Sequence, residues 1–561
     1  METKWNVSEI PSVSSINEMS EALKISKLLS VILCVRGFTV KSASDFLNKD
    51  LSCIYDPYLL KDMDKGVKRI RQALCNNEII TVYGDYDADG VTSCSLLVKA
   101  LKKLNGNVNY YIPERETEGY GINNSSIEHI KNRGTSLIIT VDCGITAISE
   151  CEYAKSLGID MVITDHHECS DSVPEAVAVI DAKQKDCEYP FKHLAGVGVA
   201  FKLVQALFRD TVGTEELIDE YSDLVTIGSI ADIVPLVGEN RVICHFGLKS
   251  ISNTKNQGIR ALVDVSGLDI NKIDATKIGF VIAPKINAVG RLEDATRAIK
   301  LFLSEDYDEA YKIASELHGY NKMRQEIETE ILEEADKQLK KYYLNDKIAV
   351  LDNKNWHHGV VGIVASRLTK RYFKPCIMIS PGTEGLYKGS GRSISGFSLY
   401  DALDYSKDTL KSFGGHELAA GLVIEKNNIQ KFRKKINEYA EKNMSSDILV
   451  NKITADCELR GRHLNLASAE ELSKLQPYGT ENAQPVFYIK NMTVANSYKI
   501  GNNKQHLRLQ LIKDGVKVDA VAFGMGDRNI TFNSVISVMC NLDVNEFRNE
   551  RNLQLKIIDI K

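Results

Sequence analysis

No Cys-x-x-Cys pair occurs among the twelve cysteines of this 561-residue chain. That absence argues against a structural zinc site. Without a secretory context, singly spread cysteines read as reduced, cytosolic thiols. No run of about 18 apolar residues exists, so no membrane-spanning helix and no membrane partner are expected. The opening residues, Met1-Glu2-Thr3-Lys4-Trp5, lack a basic region followed by an apolar stretch, so no signal peptide is expected and the cytoplasm is the expected location. No long block of like charge is present, and the formal net charge is only −5. A mildly acidic total weighs little against a nucleic-acid partner, because a local basic groove can coexist with an acidic, metal-loading pocket. The remainder is ordinary for globular protein, at 43% apolar and 26% charged residues. The length exceeds one core, and roughly three or four domains are expected.

Six carboxylates and two histidines stand out from this background. They are Asp85, Asp87 and Asp89 in Tyr83-Gly84-Asp85-Tyr86-Asp87-Ala88-Asp89-Gly90, then Asp142, then Asp165-His166-His167, then Asp232. The first three clusters each follow a short apolar run that reads as a strand. A parallel sheet brings such strand ends to one edge, where open α/β sheets bind ligands. A pocket this acidic is tolerable only with cations in it. Two adjacent divalent metals are the simplest filling, and phosphoester hydrolysis is their simplest use. A calcium-binding EF-hand loop is excluded for residues 85–96. Its twelfth position is Leu96 where a bidentate Glu is needed, and a strand precedes it. Mixed carboxylate and imidazole ligation suits Mn²⁺ or Mg²⁺. A simple acidic turn remains the bland reading of residues 85–90, since Asp and Gly both favour turns.

The pattern along the chain separates into segments. Residues 1–65 read as an N-terminal helical segment. From 66 to about 185, strands and helices alternate, which predicts a doubly wound parallel sheet, and 190–300 reads as mostly helical. Residues 305–343 are nearly free of helix breakers and predict a long connecting helix. A second α/β region covers 344–446. Residues 447–561 read as short alternating strands of a small all-β barrel of the OB type, where residues 490–561 hold eleven Lys and Arg against seven Asp and Glu.

The four acidic clusters resemble the motifs of the DHH phosphoesterase superfamily. Within it, the wording of residues 83–93, 232–236, 284–292, 359–368, 389–393 and 413–421 resembles the RecJ family. The resemblance implies a DHH catalytic domain over 66–304, a connecting helix, a DHH-associated substrate-binding domain and an OB-fold nucleic-acid-binding domain. It implies a 5′→3′ exonuclease that degrades single-stranded DNA to mononucleotides in repair and recombination, with two divalent cations, Mn²⁺ or Mg²⁺. By carry-over, Asp87 and Asp89 each hold one metal with Asp85 assisting. Asp142 bridges, His166 and Asp232 complete the shells, and His167 meets the scissile phosphate; Asp85, Asp142 and His167 form the catalytic set. Arg115, Ser390 and Arg392 resemble a terminal 5′-phosphate pocket, and Gly414-Gly415-His416 could bring backbone amides to a phosphate. Arg291 either touches the strand or anchors the interdomain helix. The expected partners are single-stranded DNA, a RecQ-type helicase and a single-strand-binding protein, and the expected state is a monomer. Two alternatives stand beside this reading: a superfamily phosphodiesterase for short oligonucleotides or cyclic dinucleotides, and a non-catalytic replication scaffold of the same fold. Length and barrel weigh against the first, and the full ligand set against the second.

Overall fold

The segment Ile-Ile-Thr-Val-Tyr illustrates how the first sheet forms, because β-branched and aromatic side chains suit a pleated, buried surface. In the computed structural model, which describes residues 3–115, 117–119, 121–382, 385–548 and 550–561, a short strand β1 (Lys4–Val7) precedes three helices, Val13–Leu23, Lys27–Val35 and Val40–Leu47. Five strands then follow: β2 (Ile79–Tyr83), β3 (Asn107–Tyr111), β4 (Leu137–Val141), β5 (Asp160–Thr164) and β6 (Ala178–Ile180). They form one wholly parallel sheet in the order β3-β2-β4-β5-β6. Its register pairs Tyr83 with Thr140, Val141 with Thr164 and Thr164 with Ile180. The residues after β2, β4, β5 and β6 therefore emerge along one edge. Helices Asn124–Asn132 and Ile148–Ser156 bury one face of the sheet; Ala88–Lys103 and Gly196–Phe208 lie on the other. This is the expected doubly wound arrangement.

The described residues divide into two compact units. One holds Trp5–Ala283, Ala295–Tyr311 and Ile453–Lys561, and so contains both the parallel sheet and the C-terminal barrel. The other holds Met1–Lys4, Pro284–Asp294 and Lys312–Lys452. The expected long helix is present as Tyr307–Gln338, 32 residues, followed by a π-helical turn at Leu339–Tyr343. At 1.5 Å per residue it is about 48 Å long.

Within the second unit, β7 (Ala349–Asp352), β8 (Cys376–Pro381), β9 (Tyr387–Arg392), β10 (Ser412–Gly415) and β11 (Ala419–Ile424) form a mixed sheet in the order β10-β11-β9-β8-β7. Only β7 and β8 run parallel. Helix His358–Tyr372 covers one face through Val360, Val361 and Val364.

After the short strands β12 (Lys452–Ala455) and β13 (Cys457–Glu458) comes the barrel. It comprises β14 (Phe487–Ile500), β15 (His506–Lys513), β16 (Val516–Ala522), β17 (Val535–Phe547) and β18 (Glu550–Ile560), and β14 pairs with β17 to close it. The last strand, β18, opens on the polar run Glu550-Arg551-Asn552, where no apolar alternation announces it. The barrel core is continuous with the N-terminal helices: Leu29, Ile32 and Leu33 are fully buried in the same cluster as Leu475, Phe487 and Leu509.

Arg241 ties these parts of the larger unit together. It is almost wholly buried, with its guanidinium 4.0 Å from the centre of the Phe46 ring. Nη1 donates to the Phe46 carbonyl at 2.5 Å, and Nη2 to the carbonyls of Lys474 (2.8 Å) and Gln476 (3.2 Å). One planar fork thus satisfies three acceptors from two distant stretches of chain. Arg241→Met keeps the stem but orphans three carbonyls, each worth about 1–3 kcal/mol when left buried and unpaired. Thermal unfolding should show the first transition of this variant shifted down by several degrees. A midpoint unchanged from wild type would mean that the three bonds contribute nothing net.

Candidate metal centre

Each acidic cluster reaches the sheet edge by a local rule. After β2 the chain turns at Gly84, and Asp87 caps helix Ala88–Lys103, its Oδ1 accepting from the amides of Asp89 (2.9 Å) and Gly90 (3.1 Å). Gly90 is obligatory, because a Cβ there would lie 2.5 Å from the Asp85 carbonyl oxygen. The first turns of this helix carry small residues whose hydroxyls bond back to it. Thr92 donates to the Ala88 carbonyl at 2.8 Å and Ser93 to that of Asp89 at 2.6 Å, so the helix lies buried without unmet donors. Asp89 accepts from the amides of Gly196 (2.7 Å) and Val197 (2.9 Å) at the start of helix Gly196–Phe208. Asp142 follows β4 in the left-handed region, at φ 60°, and is 3% exposed. Asp232 caps the C-terminus of helix Thr214–Ala231. Ile233, next to it, also has φ 63° and is 70% exposed; a β-branched residue in that conformation is strained.

These elements bring all seven sequence-predicted ligand and catalytic residues of this region together. Three groups of ligand atoms lie within 4.8 Å of one another: Asp85, Asp87 and Asp142; Asp142, His166 and His167; and Asp89, His166 and Asp232. Asp142 and His166 are each shared by two groups. His166 Nε2 stands 3.1 Å from Asp142 Oδ1, 3.6 Å from Asp232 Oδ2 and 3.9 Å from Asp89 Oδ2. A hydrogen bond to the Leu194 backbone engages its other side. Asp85 Oδ1, Asp142 Oδ1 and His166 Nε2 are buried with no hydrogen-bond partner. Orphaned acceptors of this kind are costly unless a cation meets them. Carboxylate and imidazole donors together fit divalent ions.

Electrostatics says the same. Burial, then the charge of Asp87, pushes Asp85 up to about 8. Burial and Asp87 push Asp232 to about 7. Burial and neighbouring aspartates hold Asp89 and Asp142 well above the carboxylate range. His166 is held down at about 3, by burial first and His167 second, so it is a neutral ligand. Burial also works against protonation of His167, but Asp165 prevails, and its hydrogen bond and charge lift His167 to about 9.

Asp165 is the member whose role the sequence reading leaves unassigned. Its Oδ1 accepts from the amides of His166 (2.7 Å) and His167 (3.2 Å) and meets His167 Nδ1 at 2.7 Å, while Oδ2 accepts from the Ile145 amide at 2.9 Å. It orients the histidine pair. Gly196 and Gly228 also escape sequence reasoning: a Cβ at Gly196 would lie 2.6 Å from Asp142 Oδ1, and one at Gly228 2.8 Å from Asp89 Oδ1. The Gly196-Val197-Gly198 joint is the only sequence signal for the first.

Arg115 lies in the same unit, its guanidinium 5.0 Å from the centre of the Tyr86 ring, and its charge reaches Asp85. The other candidate phosphate contacts lie in the second unit. Arg392 Nη1 donates to Ser390 Oγ at 3.1 Å and to the Gly391 carbonyl at 2.8 Å. Both side chains stand against helix His358–Tyr372 at Gly362, where a Cβ would lie 2.8 Å from Ser390 Oγ. Arg291 donates to the Gly359 carbonyl at 2.9 Å, which anchors its helix to the start of that one. His416 sits exposed in the turn between β10 and β11, its amide donating to the Ala419 carbonyl at 2.8 Å.

Residues 79–229 match the N-terminal domain of the DHH family, 345–442 the DHHA1 domain and 455–559 the RecJ OB domain. The chain is 40% identical over 560 residues to the single-stranded-DNA-specific exonuclease RecJ of Bacillus subtilis, covering 99% of this chain and 70% of that protein. It superposes on crystal structures of RecJ from Thermus thermophilus. The Mn²⁺ complex gives a TM-score of 0.85 at 30% identity over 100% of this chain and 79% of that one. The Mg²⁺ complex gives 0.79 at 28% identity, over 100% and 78%.

The pKa shifts set a pH dependence. Between about pH 6.5 and 8 the native, metal-free chain still holds protons on Asp85 and Asp232 that the unfolded chain has released, so its stability falls as pH rises. Approach to the raised value of His167 adds to the loss. Cations displace those protons, so the rise in melting temperature on adding Mn²⁺ should be larger at pH 8 than at pH 6.5. An equal rise at both, measured by calorimetry, would contradict the assignment.

Proposed function

Because the chain belongs to the RecJ family, we propose that it is a 5′→3′ exonuclease that releases mononucleotides from single-stranded DNA. Two divalent cations, Mn²⁺ or Mg²⁺, would be held by Asp85, Asp87, Asp89, Asp142, His166 and Asp232. The observation that carries this reading is the sharing of Asp142 between two ligand groups, as a bridge between two ions requires. Bound there, the cations supply Lewis acidity to the attacking water and neutralise charge on the phosphate in an in-line displacement.

The protein's own part is positioning. Asp165 fixes the ring of His167 by accepting from Nδ1 and keeps it protonated, and this imidazolium is the proposed contact to a phosphate oxygen. Ser390 and Arg392 are the proposed contacts to the terminal 5′-phosphate, with Arg115 assisting. A guanidinium presents forked donors that suit phosphate oxygens. The barrel supports strand binding through an exposed face: Tyr498 is 55% and Phe523 60% exposed, and Tyr498 pairs across the ladder with Arg508. Aromatic faces stack on bases of any sequence and a guanidinium follows the backbone.

The cellular setting is part of the same proposal. Among the described residues every cysteine is free, and no helix is long and apolar enough to cross a membrane. The proposed setting is the cytoplasm, in DNA repair and recombination. A RecQ-type helicase and a single-strand-binding protein are the proposed suppliers of its substrate.

One assay tests the reading, with end-labelled single strands in Mn²⁺. Asp142→Ala should lower kcat by far more than tenfold while the protein stays folded. Retention of more than about a tenth of wild-type kcat, a barrier change of only roughly 1.4 kcal/mol, would defeat the bridging role. In the same assay Arg392→Ala should reduce the preference for 5′-phosphorylated over 5′-hydroxyl strands, since a charge-assisted contact contributes about 1.5–3 kcal/mol. Equal slowing on both substrates would place Arg392 on an internal phosphate.

A further inference from the structure

The larger unit carries a second concentration of one charge, opposite in sign to the metal centre. Helix Gly238–Ser252 presents Arg241, His245 and Lys249 at successive intervals of four. Such residues lie one above another on a single face, about 6 Å apart along the axis. Lys49, just beyond helix Val40–Leu47, joins them.

Among the described residues no ion pair engages Lys49, His245 or Lys249. Arg241 spends its donors on the carbonyls of Phe46, Lys474 and Gln476. Glu239, on the same helix, is fully buried against Lys202. Asp50, beside Lys49 in sequence, is turned into its own turn and accepts from the Ser52 amide at 2.8 Å. The charges acting on His245 are those of Lys49, Lys249 and Arg241, all positive; with burial as the larger cause, they hold it down at about 4. Burial, then Arg241 and Lys249, pull Lys49 down to about 8. Cations pressed together in a half-buried setting oppose folding unless an anion meets them, which is the mirror image of the acidic pocket.

Two further features select the anion. An aromatic ring stands between two of the basic groups: Lys249 lies 5.8 Å from the centre of the Phe246 ring, and His245 meets the same ring edge-on at 5.6 Å. Interleaved rings and cations suit a single-stranded nucleic acid better than an acidic peptide, because bases stack where carboxylates cannot. The ridge also begins beside Lys474 and Gln476, in the segment that leads into the barrel.

We propose that Lys49, His245 and Lys249 form a phosphate-binding ridge for single-stranded DNA, separate from the metal ligands. The two ammonium groups neutralise phosphates, and the neutral imidazole donates one hydrogen bond. This rests on the reading that the chain acts on single-stranded DNA.

The test measures binding of a long labelled single strand to chelator-treated protein across a salt series, for wild type and for Lys49→Gln/Lys249→Gln. Two lost phosphate contacts should make the salt slope shallower by about 1.4, so that the wild-type advantage shrinks about sevenfold between about 50 and 200 mM salt. With Mn²⁺ restored, cleavage of very short oligonucleotides should be unchanged. The DNA-free melting temperature should not fall, because repulsion has been removed. If Lys49→Gln alone lowers it, Lys249→Gln alone serves, with an expected slope change of about 0.7. An unchanged slope, with wild type binding and cutting normally, overturns the ridge. So does a variant that loses an oligoglutamate probe yet keeps the strand, which would make the ridge a peptide site. Failure of wild type itself to bind or cut single strands defeats the underlying function, a separate outcome.

Discussion

Crowding of negative charge in a buried space governs this structure. Asp85, Asp89, Asp142 and Asp165 are each at most 4% exposed, at or near the carboxyl ends of adjacent parallel strands. Burying carboxylates costs several kcal/mol per ion unless hydrogen bonds or opposite charge compensate. The chain treats its acids in two ways. Asp165 is met by protein donors, the amides of Ile145, His166 and His167 and the His167 ring, and it stays below the usual carboxylate range despite full burial. Asp85 and Asp142 keep buried oxygens with no donor and are pushed upward. Asp89 falls between, with two amide donors but a raised pKa. The groups left unmet by protein are the ones positioned to hold cations.

Much of the surrounding fold serves that arrangement. The parallel sheet aligns the strand ends, and glycines at 90, 196 and 228 let helices approach the acids closely. The larger unit then adds an OB barrel whose core runs on into the N-terminal helices, with Arg241 as a polar staple among the three regions. The proposed ridge of basic groups, beyond the acidic pocket, would give the same unit a place for phosphates.

The chemistry was legible in the sequence because its signals are local. Asp85-x-Asp87-x-Asp89 and Asp165-His166-His167 each sit directly after a β-branched run, so strand, turn and ligand are read in one window. The alternation that predicts a parallel sheet is equally local. What escaped depends on contacts between distant segments or on polar surface. The N-terminal helices share a core with strands more than 400 residues later, which no periodicity reports. β18 opens on charged residues and shows its alternation only at Leu553, Leu555 and Ile557. Asp165 had no role of its own in the sequence, and only its hydrogen bonds reveal it as the residue that orients the histidines. The charge of Lys49 acts on His245, and that of Lys249 on Lys49, across nearly two hundred residues of sequence.

Asp142 is proposed to hold two cations as a pair. Electron paramagnetic resonance of the Mn²⁺-loaded chain addresses it directly, because two Mn²⁺ ions about 3.5–4 Å apart are magnetically coupled. The account predicts two ions per chain with the broadened, coupled spectrum, and a single uncoupled six-line signal in Asp142→Asn. One ion per wild-type chain, or two ions without coupling, would contradict it.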